Sequence, residues 1–316
     1  MPLRIVFCGT PAFALPTLNH LIAQPDFQIE AVVTQPDRPR GRGHEVSSSP
    51  VKDAALDAGI AVYQPEKIKS ESAHNFFKRV APDAVVIIAY GQIISQALLD
   101  IPRLGWINVH GSLLPKYRGA APVNWAVVNG ETRTGVTTMQ VNAGLDTGPI
   151  LLKYETEIGP DETAPQLAAR LAEAGAPLIA ETLRKLDRGE LTPEPQDDSQ
   201  ATLAPLLKKE DGRIDWSQPA QAIYNRIRGL QPWPGAFTAF RGKNCHIWGK
   251  PAVDAIQAQP PAPSGAIVAS PGELTVVCGG NTALRLEFLQ VEGRKRVNSR
   301  EFASGARIVP NDRFGD

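Results

Sequence analysis

Short apolar runs alternate with stretches of helical periodicity along the first 189 residues. Residues 3–8 form an apolar run broken only by Arg4, short enough for a buried strand. Thr10-Pro11 then turns the chain into a helix over 13–22, with Leu15, Leu18, Leu21 and Ile22 on one face. Runs at 29–34, 84–89, 106–109, 135–141 and 150–155 predict five further strands. Pro50, at a first helical position, opens a helix that ends at Gly59. Shorter helices are expected at 94–99 and 121–129. A long one over 163–186 carries Leu167, Leu171, Leu178, Ile179, Leu183 and Leu186 as its stripe. Short strands alternating with helices predict an α/β domain built on a Rossmann-like, doubly wound, mostly parallel sheet.

The texture changes after Gly189. Residues 190–205 hold three prolines and no apolar period, and read as a linker or an extended excursion. Beyond it come one helix at 219–228 and short strand-like runs at 236–240, 245–248, 265–269, 274–277 and 284–289. Five short strands separated by turn signals such as Arg241-Gly242-Lys243 and Gly279-Gly280-Asn281 predict a small OB-like β-barrel. The expected organisation is therefore a first domain over 1–189, a linker over 190–205 and a barrel domain over 206–316.

Composition narrows the class. The 316 residues are 42% hydrophobic and 21% charged, ordinary values for a folded soluble protein. No apolar run approaches the roughly 20 residues that span a bilayer, and the N-terminus lacks a signal-peptide core, so a cytoplasmic chain without membrane contact is expected. Cys8, Cys245 and Cys278 are odd in number and far apart, which disfavours a disulfide framework or a cysteine zinc site. Lys and Arg total 33, as do Asp and Glu, and a net charge of zero argues against a nucleic-acid partner. The zero is a sum of unlike parts. Residues 1–205 hold 18 basic and 23 acidic residues, a net of −5, and residues 206–316 hold 15 and 10, a net of +5. Such asymmetry between halves is expected of a chain with one polyanion-facing module.

The candidate chemistry lies in the first domain. Gly9-Thr10-Pro11 stands where a dinucleotide fold places its glycine fingerprint, but it has one of the three glycines, and Pro11 lacks an N–H for a pyrophosphate. It reads as a tight turn, which disfavours a nicotinamide dehydrogenase. Asn108 and His110 alternate across Val109 at the end of a strand, so both side chains share one face. Asn108 offers an uncharged N–H to a developing oxyanion, and His110 can shuttle a proton near neutral pH. Ser112-Leu113-Leu114-Pro115 and Lys116-Tyr117-Arg118-Gly119 follow as a candidate pocket wall. Asp146, within Gly144-Leu145-Asp146-Thr147-Gly148, either orients His110 and accepts a proton through water or simply closes an Asx turn.

Asn108-x-His110 followed by Ser112–Pro115, with Asp146 further on, resembles the Asn/His/Asp set of the folate-dependent formyltransferases. Gly9-Thr10-Pro11, Gln35-Pro36-Asp37-Arg38-Pro39, Gly41-Arg42-Gly43, Tyr90-Gly91, Arg118-Gly119-Ala120-Ala121-Pro122, the Asp146 loop and Trp233-Pro234-Gly235 are similar to the branch of that family that formylates an aminoacyl-tRNA. The family's glycinamide ribotide enzymes resemble the first domain alone. The resemblance implies transfer of a formyl group from 10-formyltetrahydrofolate to the α-amine of methionine on initiator tRNA, without a metal. It implies that Asn108 and protonated His110 stabilise the oxyanion while Asp146 supports His110. Ser112, Leu113, Leu114 and Pro115 would line the folate site, with backbone contacts and an apolar slot from Ile88, Ala89, Tyr90 and Gly91. A monomer is expected. The alternatives are a formyltransferase acting on a sugar nucleotide or another small amine, and a non-catalytic RNA-binding protein; the basic second domain opposes the first and the intact Asn/His/Asp set the second.

Residues 34–49 are long for a strand-to-helix connection and contain Arg38, Arg40 and Arg42. They read as an arm that orders on RNA, in which Arg42 matches the family's functional arginine. In the second domain Arg226, Arg228, Arg241, Lys243, Lys250, Arg294, Lys295 and Arg296 supply the positive excess and are expected at phosphates. Trp233, Phe237, Phe240 and Trp248 are expected in the barrel core.

Overall fold

Each apolar run of the first half becomes a strand. The computed structural model describes residues 1–40, 45–252, 262–270, 273–309 and 312–315. In chain order the elements are β1 (Leu3–Gly9), α1 (Leu15–Ile22), β2 (Phe27–Val33), β3 (Arg38–Arg40), β4 (Glu45–Ser47), α2 (Pro50–Asp57), β5 (Val62–Tyr63), α3 (Glu71–Val80), β6 (Ala84–Ile88), α4 (Gln96–Leu99), β7 (Trp106–His110), α5 (Pro122–Val128), β8 (Arg133–Gln140), β9 (Ile150–Glu157) and α6 (Ala164–Asp187). After them come α7 (Ala220–Gly229), β10 (Phe237–Phe240), β11 (Lys243–Pro251), β12 (Ile267–Ser270), β13 (Glu273–Cys278), β14 (Thr282–Val291), β15 (Val297–Asn298) and α8 (Ser299–Ala306). The chain divides into two compact units. The first comprises residues 1–122, 133–157 and 167–205; the second comprises 123–132, 158–166 and 206–316.

In the first unit a seven-stranded sheet runs β5-β2-β1-β6-β7-β8-β9. The pairs from β5 to β7 are parallel, and β8 and β9 join antiparallel. All five residues of β6 are buried, as expected for a parallel strand covered on both faces. Val6, Cys8, Ile68, Phe77, Val85, Tyr90, Leu98 and Trp106 belong to one core cluster. Each such side chain, fully buried, contributes about 1.5–3 kcal/mol from apolar area. Trp106 also satisfies its Nε1–H on the Leu98 carbonyl at 2.8 Å. A Cβ on Gly175 of α6 would sit 2.9 Å from the Val109 side chain, so glycine lets that helix pack closely under β7.

Two helices lie outside the expectation. α3 sets Ala73, Phe76, Phe77 and Val80 against the core at helical spacing, and starts where Ser70 Oγ accepts the Ala73 N–H at 3.2 Å. α8 starts on a capping box between Asn298 and Glu301. Residues 190–205 run extended along the first unit. Ile150 and Glu194 exchange two backbone hydrogen bonds, of 2.7 and 2.8 Å, and Arg118 bonds through its N–H to Thr202 and through its carbonyl to Ala204.

The second unit holds an antiparallel sheet of order β10-β11-β14-β13-β12, with β15 on β14. The chain end completes it. Phe314 N–H donates to Gly265 O and Gly315 N–H to Ala239 O, so residues 312–315 lie between the β10 edge and the residues leading into β12. Ile247, Leu274, Leu284, Leu286 and Leu289 fill the interior with Ile223 and Ile227 of α7.

Candidate active site

The sheet places its ligand edge by connectivity. From β1 the chain moves outward one way to β2 and β5, and from β6 it moves the other way to β7. The crevice above the carboxyl ends of β1 and β6 is therefore the topological switch point, where open α/β sheets bind ligands. Gly9 there pairs with Ile88. A Cβ on Gly9 would lie 2.9 Å from the Phe7 ring and 3.2 Å from the Ile88 carbonyl oxygen, so this glycine serves close packing of the turn. Past β6 the backbone turns through Ala89 (φ 47°) and Gly91 (φ 82°), both exposed, around a buried Tyr90. Among the described residues the Tyr90 hydroxyl is buried without a hydrogen-bond partner, and its burial pushes the phenol pKa up.

Parallel pairing of Ile87 with Asn108 sets the end of β7 beside this turn. His110 is 5% exposed, and its Nε2 lies 2.9 Å from the Tyr117 carbonyl oxygen. A carbonyl only accepts, so Nε2 carries the hydrogen and Nδ1 is left to face Asp146 Oδ2 at 3.7 Å. Asn108 Nδ2 lies 3.4 Å from Asp146 Oδ1, and the Gly119 N–H donates to Asp146 Oδ2 at 2.8 Å. The structure thus brings Asn108, His110 and Asp146 together.

Asp146 adopts a left-handed conformation (φ 52°), and three devices fix its loop. Asn142 Oδ1 accepts the Gly144 N–H at 3.0 Å and the Thr147 hydroxyl at 2.9 Å, taking the Asx-turn role and leaving the Asp146 carboxylate to the site. A Cβ on Gly148 would meet the Gln140 carbonyl oxygen at 1.7 Å, so only glycine fits there. Gln196 Nε2 donates to the carbonyls of both Asp146 and Gly148 at 2.8 Å. Arg118 grips Gln196 Oε1 in turn, at 3.0 and 2.8 Å. Sequence patterns do not point to Gln196, the Tyr117 carbonyl or the Gly119 N–H. Arg118-Gly119 is visible as a motif, but nothing near Gln196 signals a hydrogen bond made 50 residues away.

The segment after His110 is bound into its own packing. Ser112 Oγ donates to the Lys116 carbonyl at 2.6 Å. Leu114 is 1% exposed and packs with Met139 and Ile150, and Leu113 rests against Gly135. Leu145, beside Asp146, and Ile93, beyond the Tyr90 turn, are instead exposed apolar side chains at 67% and 69%. Among the described residues no group of three or more His, Cys, Asp or Glu converges as for a metal, and no helix is long and apolar enough to cross a membrane.

The basic candidates separate. Arg38 is exposed in the β3–β4 hairpin, its guanidinium 4.0 Å from the Glu66 carboxylate. Arg42 and the side chain of Arg40 lie outside the described residues. In the second unit Arg228, expected at a phosphate, is 5% exposed. It bonds Asn225 and the carbonyls of Gly159 and Glu162, because a desolvated guanidinium needs those acceptors. Arg241 forks onto Asp312, and Lys250 pairs with Asp161. Arg294 and Lys295, with Lys243, rim a cavity of about 420 Å³ floored by Val291, Val297 and Phe302. Arg296 lies instead on the outer face of β11 and β14 and covers Trp248 and Phe288, its guanidinium carbon 5.1 and 5.4 Å from the ring centroids. Of the aromatics expected in the core only Phe240 is buried. Phe237 and Trp248 are half-buried on the outer face, because strand alternation gives the interior to Ile247 and Leu289, and Trp233 is 55% exposed.

A doubly wound domain with an Asn/His/Asp set at its switch-point edge, followed by a small β domain, matches known families over both parts. Residues 3–183 match the Formyl transferase family and residues 206–307 the Formyl transferase C-terminal domain, and the chain belongs to the formyl transferase family. A methionyl-tRNA formyltransferase of Solibacter usitatus is 56% identical over 314 residues, 99% of each chain. Another, of Koribacter versatilis, is 51% identical over 98% of each chain. Among solved structures, a sugar 3N-formyl transferase with dTDP and 5-N-formyl-THF superposes with a TM-score of 0.68 at 18% identity, covering 93% of this chain and 100% of that one. An N-formyltransferase of Helicobacter canadensis, with folinic acid and dTDP-3-aminofucose, gives 0.66 at 16%, covering 90% and 99%. The structural likeness establishes the fold.

Proposed function

We propose that this enzyme moves the formyl group of 10-formyltetrahydrofolate to the α-amine of initiator methionyl-tRNA, as a cytoplasmic monomer. The observation that carries the reading is the match to relatives bearing that one name over essentially the whole chain, both domains included. The folate supplies an activated one-carbon unit on a leaving nitrogen. The residues present fit it: the exposed turn at Ala89 and Gly91 lies at the switch point next to His110, with apolar Ile93 and Leu145 exposed nearby in sequence. In this reading Ile88, Ala89, Tyr90 and Gly91 hold the pterin through backbone groups. Because Ser112 Oγ and Leu114 are taken up by packing, Ser112, Leu113, Leu114 and Pro115 contribute mainly backbone and shape.

Asn108 Nδ2 is the neutral donor for charge that builds on the formyl oxygen as the amine attacks. Loss of one such donor typically lowers kcat about 10²–10³-fold. With Nε2 committed to Tyr117, His110 Nδ1 is the nitrogen that moves a proton, taken from the attacking amine and delivered to the nitrogen that leaves. Asp146 holds the imidazole ring in place and supports its positive charge. In this reading Arg38, Arg40 and Arg42 meet RNA phosphates near this edge, Arg40 and Arg42 being assigned from sequence position. Arg294, Lys295 and Arg296 bind RNA on the second unit, where Arg296 with its two rings forms a base-stacking surface.

The test offers 10-formyltetrahydrofolate with four acceptors: charged initiator tRNA, uncharged tRNA, free methionine and an amino-sugar nucleotide. Formylation of the charged tRNA alone is expected. Transfer to the amino sugar with none to the tRNA would move the enzyme to the sugar-modifying branch.

A further inference from the structure

Gln35, two residues past β2, joins the carboxyl ends of four parallel strands. Its backbone N–H donates to Thr10 Oγ1 after β1 at 3.2 Å. Its side-chain Nε2 donates to the Tyr90 carbonyl after β6 at 2.8 Å. Its Oε1 accepts Gln92 Nε2 at 3.2 Å, and its backbone carbonyl accepts Gln64 Nε2, after β5, at 2.9 Å. The partners are tied in turn. Gln92 Oε1 accepts the Ile68 N–H at 2.7 Å, and Gln64 Nε2 also donates to Asp37 Oδ1 at 3.0 Å. Asp37 pairs with Lys52 and directly precedes Arg38, the first residue of the β3–β4 hairpin.

We infer that Gln35 is a positioning residue that sets the Ala89–Gly91 turn and couples it to the base of the basic hairpin. The inference rests on the reading of that turn as the folate slot and of the hairpin as an RNA contact. The turn needs such a tie. A non-glycine residue at φ 47° is held in a sparsely populated conformation that its surroundings must enforce. Gln35 fixes the Tyr90 carbonyl at the centre of the turn through its side chain, and its main-chain carbonyl holds Gln64, which also donates to Asp37 at the hairpin base. RNA on the hairpin then biases the turn, and by reciprocity folate biases RNA affinity.

The experiment titrates full-length enzyme with tetrahydrofolate, with and without uncharged initiator tRNA, in wild type, Gln35→Ala and Gln35→Glu. Thermal melting checks that each variant is folded. Gln35→Glu keeps the size and the acceptor for Gln92 but sets a carboxylate oxygen against the Tyr90 carbonyl. Both variants are expected to bind tetrahydrofolate roughly tenfold more weakly and to raise the KM for 10-formyltetrahydrofolate alike, with kcat within about threefold of wild type. Wild-type affinity should rise about fivefold or more with tRNA present, and that ratio should fall to one in both variants. Wild-type affinity in folded Gln35→Glu, or an unchanged tRNA ratio, would overturn the inference while leaving the folate slot standing. Failure of wild type to bind tetrahydrofolate would remove the slot and the inference with it.

Discussion

Gln196 is remote from the reacting atoms, yet the structure makes it the buttress of Asp146. Gln196→Ala removes two donors held at 2.8 Å, one to each carbonyl flanking the Asp146 turn, and deprives the buried Arg118 of an acceptor it meets twice. Each such neutral bond is worth about 1 kcal/mol, and Arg118 keeps its bond to Asp198, so a net destabilisation of about 2–3 kcal/mol is expected. The kinetic effect should be larger in proportion. A left-handed aspartate without its carbonyl tie drifts from His110 and Asn108, and misplacement by about 1 Å lowers rates by up to roughly 100-fold. Gln196→Glu separates the two effects. Its carboxylate strengthens the bond with Arg118 but faces two carbonyl oxygens, so stability should change less while kcat falls as far. Urea unfolding would be measured beside steady-state formylation for both variants. If both turn over within threefold of wild type, the loop does not depend on Gln196 and the assignment is wrong.

Two further outcomes are expected. Replacing Arg294, Lys295 and Arg296 together with Ala should weaken tRNA binding and lower its salt slope by about one for each phosphate no longer neutralised, with folate KM unaltered; a filter-binding salt series reads this out. Burial pushes the Cys8 thiol well up and the Cys245 and Cys278 thiols to about 12. At pH 8 only roughly one in ten thousand of the latter two is thiolate, so iodoacetamide should label native enzyme negligibly and denatured enzyme at all three positions.

The candidate catalytic edge is legible in the sequence because its parts are local. Asn108 and His110 share a face by strand alternation, and Asp146 sits in a loop whose glycines mark it. What holds those side chains is not local. The Tyr117 carbonyl that fixes the His110 tautomer, the Gly119 N–H on Asp146 and the Gln196 clamp arise from segments that only the folded chain joins. Charge divides similarly. Arg228 counts toward the basic excess but is consumed by buried carbonyls, whereas Arg294 and Lys295 remain on a cavity rim. Composition counts a guanidinium without regard to which side of the sheet it takes. Arg296 shows this again, one residue from Lys295 yet on the outer face of β11 and β14. Alternation predicts the barrel strands, but not the part the chain end plays in completing them, because residues 312–315 have no apolar period of their own.

The most direct test of the central claim measures single-turnover formyl transfer to initiator methionyl-tRNA in wild type, Asn108→Ala and His110→Ala, with tRNA affinity measured on the same samples. Transfer should fall by at least about 100-fold in each variant while affinity stays within threefold. Transfer at the wild-type rate in either variant, or an equal loss in tRNA affinity, would contradict the roles assigned to Asn108 and His110.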